Sequence, residues 1–214
     1  LMNNVETFAY VPIIGLKGAE WWKAQGVRGS HGLKCIAVSG HVEAPGVYEI
    51  PLGTTVAELI DLAGGVSEGR ALKGFAPGGA SSNFLPAARA DTPIDFGTLA
   101  DAGSMMGSGA LVVFAEGTPV LPLAANVVRF FRNESCGKCV PCRDGTEKAV
   151  RMLKDATAGG TPLDWRTIEK LGLLLEETSI CGLGYVALNP LVSAAEHWPD
   201  EVPRSTGGTG GAGG

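Results

Sequence analysis

Alternating apolar and polar residues predict a pair of β-strands in the first half of the chain. The stretch KCIAVSG, residues 34–40, is rich in β-branched and apolar residues, and VYEI, residues 47–50, follows it. Between them lies APGV, residues 44–47, whose proline and glycine are typical of a turn. Another apolar run, ALVVF at residues 110–114, predicts a returning strand.

A short amphipathic helix is predicted directly after the second strand. Thr55 and Glu58 fit a capping box, in which each side chain accepts a hydrogen bond from the backbone of the other residue. Gly64-Gly65 is predicted to end the helix with a residue in the left-handed region. The residues predicted to be buried are Val56, Leu59, Ile60 and either Leu62 or Ala63.

A loop is predicted over residues 75–88, FAPGGASSNFLPAA, because glycine, proline and serine recur there. Hairpin, helix, loop and returning strand, in this order, predict a β-grasp domain over residues 31–118. Residues 1–30 are too few to form a core of their own.

Apolar residues recur at helical spacing in the next zone, residues 119–200. The helical segments are ANVVRFFRNES, GTEKAVRMLKDA, DWRTIEKLGLLLEE and NPLVSAAEHW. Asp164 is predicted to cap the third segment, and Asn189 to cap the fourth, with Pro190 at its first helical position. Brief connections between four helices predict a bundle. The predicted fold class is α+β, a ubiquitin-like β-grasp domain followed by a four-helix bundle, with residues 201–214 as a flexible glycine-rich tail.

Composition and charge argue against several classes of function. The 214 residues are 45% hydrophobic, which is enough for a core, and the net charge of −5 disfavours nonspecific nucleic-acid binding. No apolar run reaches the roughly 18 residues that a membrane-spanning helix needs, and no signal peptide begins the chain. We therefore expect a cytoplasmic protein with no nucleic-acid partner and no direct membrane insertion.

The strongest chemical signal is the segment ESCGKCVPCRDG, residues 134–145. It places Cys136, Cys139 and Cys142 with two residues between each, and a fourth cysteine, Cys181, stands in TSICGLG. A triplet with one remote cysteine suits a [4Fe–4S] cluster, which takes four thiolates. Zinc sites more often show two C-x₂-C pairs or cysteines with suitably spaced histidines. A zinc site and thiol redox chemistry stay open as alternatives.

The sequence indicates no specific role for two basic residues near the motif or for the fifth cysteine. Lys138 and Arg143 would favour an anionic cluster, but both equally fit an exposed helix surface. Cys35 alternates with apolar residues in a predicted strand, so we expect it to pack rather than to ligate. No catalytic residue is predicted.

The sequence around the cysteines resembles a known family. With FFRN before it and SICGLG after it, the motif is similar to the NADH-oxidising flavoprotein subunit of respiratory complex I. It is still more similar to the beta subunits of soluble NAD-dependent formate dehydrogenases and the diaphorase subunits of NAD-linked hydrogenases, since CGLG is followed by NP. VSGHVEAPGVYEIPLGTT and PGGASS resemble the family's soluble-ligand-binding β-grasp domain.

This resemblance implies electron transfer. In the family, NADH delivers a hydride to FMN, and the flavin passes single electrons to a [4Fe–4S] cluster. The resemblance assigns the cluster ligands by position as Cys136, Cys139, Cys142 and Cys181.

The segment NNVET, residues 3–7, resembles the end of the family's flavin-binding domain. The resemblance implies that Asn3, Asn4 and Thr7 contact FMN through amide and hydroxyl hydrogen bonds. By itself, the segment also fits an ordinary turn and helix cap.

The family's glycine-rich loop for FMN and NADH would lie upstream of NNVET and is absent from this sequence. PGGA, residues 77–80, lacks the strand–loop–helix spacing of a dinucleotide fingerprint. We therefore expect residues 1–30 to be the end of a flavin-binding domain whose remainder is absent. The chain would be the C-terminal portion of a longer subunit or one piece of a split subunit, and NAD(H) would bind in the full-length subunit.

The resemblance also implies partners, because a lone cluster needs a further electron acceptor. These are a small [2Fe–2S] subunit and a larger iron–sulfur subunit, which in formate dehydrogenases also holds a molybdenum or tungsten cofactor. The predicted parent complex is an NAD-dependent formate dehydrogenase. Complex I, an NAD-linked hydrogenase, a non-enzymatic module with a structural zinc, and a structural or sensory cluster are the alternatives.

Overall fold

The structure, a computed structural model, describes residues 1–205. The chain divides into two compact units, Leu1–Gly117 and Thr118–Gly214. The first unit combines a five-stranded sheet with short helices, and the described part of the second is mostly helical. The prediction of a mixed fold containing a sheet and helices is therefore confirmed.

The sheet of the first unit has its last strand at its centre. The strands are β1 (Leu33–Gly40), β2 (Gly46–Pro51), β3 (Leu72–Ala76), β4 (Leu85–Pro86) and β5 (Ala110–Ala115). Their order is β2-β1-β5-β3-β4. Only the pair β1–β5 is parallel within this sheet, with Ala37 opposite Ala110, and the other three pairs are antiparallel. A parallel pair requires a long crossover connection, and residues 41–109 supply it.

Part of the predicted loop is a strand. Phe75 and Ala76 belong to β3, where Phe75 pairs with Val113 of β5 and with Leu85 of β4. Phe75 is completely buried. The segment LKGFA has little β-branched content, so its strand conformation depends on pairing with β5 rather than on local preference.

Four helices accompany the sheet: α1 (Val5–Lys17), α2 (Ala19–Lys23), α3 (Val56–Leu62) and α4 (Phe96–Asp101). The capping box of α3 is confirmed, since the Glu58 N–H donates to Thr55 Oγ1 at 3.2 Å and the Thr55 N–H donates to Glu58 Oε2 at 2.8 Å. Of the two alternatives for the last core position, Ala63 is buried and Leu62 is 61% exposed. Gly64 and Gly65 both have positive φ, as predicted.

The core of the first unit lies between α3 and one face of the sheet. It gathers buried side chains from all five strands, from α3 and α4, and from the connections between them. Its largest fully buried members are Phe75, Ile36, Ile50, Leu59, Leu85, Leu99, Met106 and Leu111.

Glu6 joins α1 to strand β1. Its carboxylate accepts a hydrogen bond from the Cys35 backbone N–H at 2.6 Å and forms an ion pair with Lys34. Burial alone would raise the pKa of Glu6, but the hydrogen bonds from Lys34 and the Cys35 backbone outweigh it and lower that pKa below 4.5. Tyr10, one turn further along α1, donates to Glu49 Oε1 at 2.9 Å. These polar contacts hold α1 against the hairpin.

The second unit consists of α5 (Val120–Glu134), α6 (Val140–Thr157), α7 (Trp165–Thr178), α8 (Gly182–Tyr185) and α9 (Asn189–His197), with the short strands β6 (Leu163–Asp164) and β7 (Arg204–Ser205) pairing in parallel. Helix α5 packs on α6 and α9, and α6 also packs on α7. Asp164 caps α7 as predicted, since its side chain accepts from the Thr167 N–H. Helix α8 carries no apolar repeat and was not predicted.

The prediction for the start of α9 is wrong by one residue. Leu188 occupies the cap position without a side-chain hydrogen bond to the helix, and Asn189 is the first helical residue. The Asn189 N–H already donates to the Val186 carbonyl, in the turn that follows α8. Pro190 is tolerated because N–H groups of the first helical turn have no intrahelical acceptor.

The predicted flexible tail begins too early. Residues 201–205 include the end of a 3₁₀ turn, the buried side chain of Val202 and strand β7. The Leu163 N–H donates to the Pro203 carbonyl at 2.8 Å, which ties this segment to the start of α7. The rest of the predicted tail, residues 206–214, lies outside the described residues.

Within residues 1–205, no helix is both long enough and apolar enough to cross a bilayer.

Candidate metal centre

The three clustered cysteines lie in the turn between α5 and α6 and in the first turn of α6. Cys139 is the N-terminal cap of α6, and Cys142 is in its first turn. Gly137 has a φ of 75°, so the chain reverses at a position that favours glycine. Pro141 occupies the start of α6, where a missing N–H costs nothing. The two-residue spacing thus directs successive thiols to one end of a helix.

Cys181 occupies the equivalent position on another helix, since it is the N-terminal cap of the four-residue α8. Helix α7 ends at Thr178, and the Ser179 N–H still donates to the Leu175 carbonyl at 3.2 Å. The chain therefore turns sharply over residues 179–181. A Cβ atom on Gly184 would lie 3.4 Å from Cys142 Cβ, so α8 approaches the first turn of α6 closely.

Electrostatics show that the four thiols are neighbours. Burial raises the pKa of Cys142, and Ser135, whose hydroxyl would donate to the thiolate form, opposes that shift. The negative charges of Cys139, Cys181 and Cys136 raise the same pKa further. Each of the three is therefore close enough to act on the fourth, and the structure brings all four sequence-predicted cysteines together. Without a cation, this concentration of negative charge would be unfavourable.

Backbone N–H groups favour the thiolate form of Cys139. Hydrogen bonds from the Ile180 and Cys142 backbones lower the pKa of Cys139, outweighing the effect of burial. Donors of this kind are what an anionic metal–sulfur site needs around its ligands. Ile180 lies next to Cys181 in sequence. The same turn therefore supplies the Cys181 thiol and a backbone N–H that stabilises the thiolate of Cys139.

Burial differs among the four cysteines. Cys142 is only 5% exposed, Cys139 is half-buried, and Cys136 and Cys181 are exposed. Ser135 Oγ accepts from the Gly137 N–H and from Cys142 Sγ, both at 3.3 Å. The centre is thus closed on the side of Cys142 and open on the side of Cys136 and Cys181.

Arg143 has a structural role at this turn. Its Nη1 donates to the Gly137 carbonyl at 3.0 Å, and its Nε forms an ion pair with Asp144 at 3.0 Å. It therefore holds the reversed loop closed, and Asp144 balances its charge. Lys138 is exposed, as expected for a surface residue.

The donor set consists of four cysteines, which is the number of thiolates that a [4Fe–4S] cluster takes. In such a cluster each thiolate binds a different iron, whereas four thiolates on one zinc must all lie about 2.3 Å from the same atom. Among residues 1–205, no group of three or more histidine, cysteine, aspartate or glutamate side chains is arranged to hold one metal ion.

The sequence-predicted flavin contacts lie in the first unit, at the start of α1. Asn4 caps α1, with its Oδ1 accepting from the Glu6 N–H at 2.8 Å, and Asn3 Oδ1 accepts from the Asn4 N–H at 2.8 Å. Asn4 and Thr7 line a cavity of about 400 Å³ together with Tyr10 and Trp22. The cap at Asn4 is the role expected of NNVET as an ordinary turn and helix start. Thr7 lies at an accessible surface, because it lines the cavity.

Sequence reasoning missed two serines of the centre. Ser135 contacts Cys142 directly, and Ser179 is buried beside it. Both adjoin the cysteine segments, in ESC and TSIC, but serine is too common for this proximity to have been a signal.

Comparison with protein families supports the same two regions. Residues 122–205 match the NADH-ubiquinone oxidoreductase-F iron–sulfur binding region, and residues 35–82 match the SLBB domain. The first match includes all four cysteines of the centre.

Similar proteins are subunits of oxidoreductases. The F subunit of NADH-quinone oxidoreductase from Streptomyces coelicolor is 38% identical over 98% of this chain and 47% of its own length. The NADP-reducing hydrogenase subunit HndC of Solidesulfovibrio fructosivorans is 36% identical over 94% of this chain and 41% of its own. The chain therefore spans less than half the length of these two relatives.

A solved structure of similar fold comes from a hydrogenase. A chain of the NAD⁺-reducing [NiFe]-hydrogenase in the H₂-reduced state superposes with a TM-score of 0.81 at 30% identity. The superposition covers 94% of this chain and 34% of that chain.

Proposed function

Because the chain belongs to the family of NADH-oxidising flavoprotein subunits that includes the F subunit of NADH-quinone oxidoreductase, we propose that it is the electron-transfer portion of an NAD(H)-linked oxidoreductase. It corresponds in this proposal to the C-terminal part of such a protein. The observation that carries the proposal is the meeting of four thiols at the starts of α6 and α8, within the matched iron–sulfur region.

The proposed cluster ligands are Cys136, Cys139, Cys142 and Cys181. A [4Fe–4S] cluster held by them would accept and release one electron at a time. The turn around Gly137 and the turn before α8 position the thiols. The backbone N–H groups of Ile180 and Cys142, which already stabilise negative charge on Cys139, would do the same for the ligated sulfur.

The proposed flavin contacts are Asn3, Asn4 and Thr7. Asn4 Oδ1 is occupied by the helix cap, so its contribution to FMN would come from its side-chain N–H₂ group. Thr7 offers a hydroxyl at the cavity beside α1. FMN would transfer electrons between NAD(H) and the cluster, with the rest of the flavin and nicotinamide site supplied by protein outside this chain.

The proposed architecture refines the mixed fold described above. Residues 31–118 would be a soluble-ligand-binding β-grasp domain, in agreement with the SLBB match over residues 35–82. Residues 119–200 would be a four-helix iron–sulfur bundle formed by α5, α6, α7 and α9. Residues 1–30 would be the end of the flavin-binding domain.

The proposed parent complex is one of three related types. The relatives named above belong to quinone oxidoreductases and hydrogenases, so these two types are supported by their names. An NAD-dependent formate dehydrogenase rests on the sequence resemblance around CGLG alone. In each type we propose a cytoplasmic location and two partners, a small [2Fe–2S] subunit and a larger iron–sulfur subunit. In a formate dehydrogenase, the larger one would hold the molybdenum or tungsten cofactor.

The test is metal analysis of the full chain purified without oxygen, followed by EPR before and after dithionite. About four irons and four sulfides per chain, with a paramagnetic signal on reduction, are expected. One zinc, no sulfide and no signal would instead identify a structural zinc module and overturn the electron-transfer proposal.

A further inference from the structure

The Ser179 hydroxyl, in the second unit, is buried without a hydrogen-bond partner among the described residues. Ser179 is 6% exposed. Most buried polar side chains in folded proteins are hydrogen-bonded, because an unpaired one is destabilising. A buried hydroxyl without a protein partner is therefore available to a group that binds next to it.

The other buried serines of the chain are satisfied. Ser193, 2% exposed, donates from its Oγ to the Asn189 carbonyl at 2.8 Å. Ser82, completely buried, donates from its Oγ to the Gly79 carbonyl at 2.9 Å. Ser179 thus differs from its two counterparts, which form ordinary side-chain-to-backbone bonds.

The unpaired hydroxyl lies at the cysteine centre. A Cβ atom on Gly184 would stand 2.1 Å from Ser179 Oγ and 3.4 Å from Cys142 Cβ, so the two side chains meet at that glycine. One residue, Ile180, separates Ser179 from Cys181, another of the proposed ligands. Ser179 is therefore on the closed side of the centre, beside the most buried thiol.

Ser135 is the other hydroxyl beside Cys142. Its Oγ accepts from the Gly137 N–H and from Cys142 Sγ, so it already lies within hydrogen-bond distance of a proposed ligand. The Ser179 Oγ, by contrast, has no partner of either kind among the described residues.

We propose that the Ser179 hydroxyl donates a hydrogen bond to a sulfur of the bound iron–sulfur cluster and raises its reduction potential. This inference rests on the proposed function, in which the four cysteines hold that cluster. The reduced cluster carries one more negative charge than the oxidised one, so a hydrogen-bond donor at sulfur stabilises the reduced form more. The proton stays on the serine oxygen and no bond is broken. Ser179 is thus a tuning residue that contributes no ligand.

The test is a redox titration, monitored by EPR, of the full chain and of Ser179→Ala. We expect unchanged iron and sulfide content and a more negative midpoint potential. At a fixed potential, the ratio of reduced to oxidised cluster should fall by roughly three- to tenfold, the range of one ordinary hydrogen bond. Ser193→Ala removes an equally buried hydroxyl from α9 and should leave the potential unchanged.

Two results would overturn the inference. One is an unshifted potential in a fully loaded Ser179→Ala, and the other is an equal shift in Ser193→Ala. If Ser179→Ala does not load a cluster, Ser179→Cys keeps a side chain of similar shape with a weaker donor. It should then show a smaller shift in the same direction, and no shift would again count against Ser179. A wild-type chain without iron and sulfide would instead overturn the proposed function.

Discussion

The chain places its cysteines in two contrasting environments, one in each unit. Cys35 lies in β1, half-buried, with the Tyr10 hydroxyl 3.9 Å from its sulfur, and it is the one cysteine of residues 1–117. Cys142 lies in the first turn of α6, is 5% exposed and is within electrostatic range of three other thiols. The solitary cysteine is thus the less buried of the two, although free cysteines are usually buried for packing.

This contrast shows that burial does not distinguish a packing cysteine from a ligating one. What distinguishes them is where the backbone reverses. In the second unit, chain reversals before α6 and α8 bring residues far apart in sequence to one place. In β1, the strand is extended and neighbouring side chains point to opposite faces. No chain reversal within the strand brings a second thiol to Cys35.

Replacing the cysteines should produce the largest difference between the units. Cys136→Ser, Cys139→Ser, Cys142→Ser or Cys181→Ser should each abolish or strongly reduce cluster loading, because each removes one thiolate ligand. Cys35→Ser should leave loading unchanged. Iron and sulfide analysis of the five variants checks this. A requirement for Cys35 together with a dispensable Cys181 would show that the fourth ligand is wrongly assigned.

Adding one methyl group at α8 should have the next largest effect. The new Cβ in Gly184→Ala would lie 2.1 Å from Ser179 Oγ, so the residue 179–181 turn must shift. We expect a loss of about 1–3 kcal/mol in the unfolding free energy, together with reduced cluster loading. Gly182→Ala, in the same helix, is the matched control, because its Cβ would meet nothing within 4 Å. Equal effects of the two substitutions would exclude close packing at Gly184 as the cause.

Removing a cap in the first unit should destabilise the sheet without affecting the metal centre. Thr55→Ala removes the hydroxyl that accepts from the Glu58 N–H in the α3 capping box. The free energy of unfolding, measured by chemical denaturation, should fall by about 1 kcal/mol. Thr55→Ser keeps the hydroxyl and should retain most of that stability. Iron content should stay constant in both variants. Cluster loss in Thr55→Ala would mean that the two units depend on each other for stability.

Acid should release α1 from the hairpin, the smallest effect expected. The pKa of Glu6 is lowered in the folded chain, so its stabilising contacts are fully present above 4.5, its ordinary value. The ion pair and hydrogen bonds of Glu6 are lost as the pH falls below 4.5 and through the lowered pKa of Glu6, because the carboxylate is then protonated. Unfolding measured from pH 6 to pH 3 should therefore show a smaller acid-induced loss of stability in Glu6→Gln than in wild type. Identical pH profiles would show that Glu6 does not anchor α1.

Features set by neighbouring residues could be predicted from sequence. The capping box of α3 and the cap at Asp164 were correct because each depends on side chains within three positions. The two-residue spacing singles out Cys136, Cys139 and Cys142, whereas Cys181 is a remote candidate that the resemblance assigns. The structure places the other three thiols within electrostatic range of Cys142.

Features set by distant contacts could not be predicted. The loop predicted over residues 75–88 contains the last two residues of β3, Phe75 and Ala76, and all of β4, Leu85–Pro86. Phe75 and Leu85 are extended through their strand pairing, which no local pattern predicts. Helix α6 begins earlier than its apolar repeat because Cys139 and Pro141 form a start that carries no periodic signal. The Ser179 hydroxyl has no hydrogen-bond partner among the described residues, which depends on residues distant in sequence. No local sequence pattern predicts it.

The parallel pairing of β1 with β5 sets the order in which the first unit can be assembled. Ala37 must find Ala110, so the sheet cannot close until nearly the whole unit has left the ribosome. Contacts between residues so far apart in sequence slow folding. The second unit shares this constraint, because its first helix, α5, packs on its last, α9. Each unit is therefore expected to complete its fold only after its final element has been synthesised.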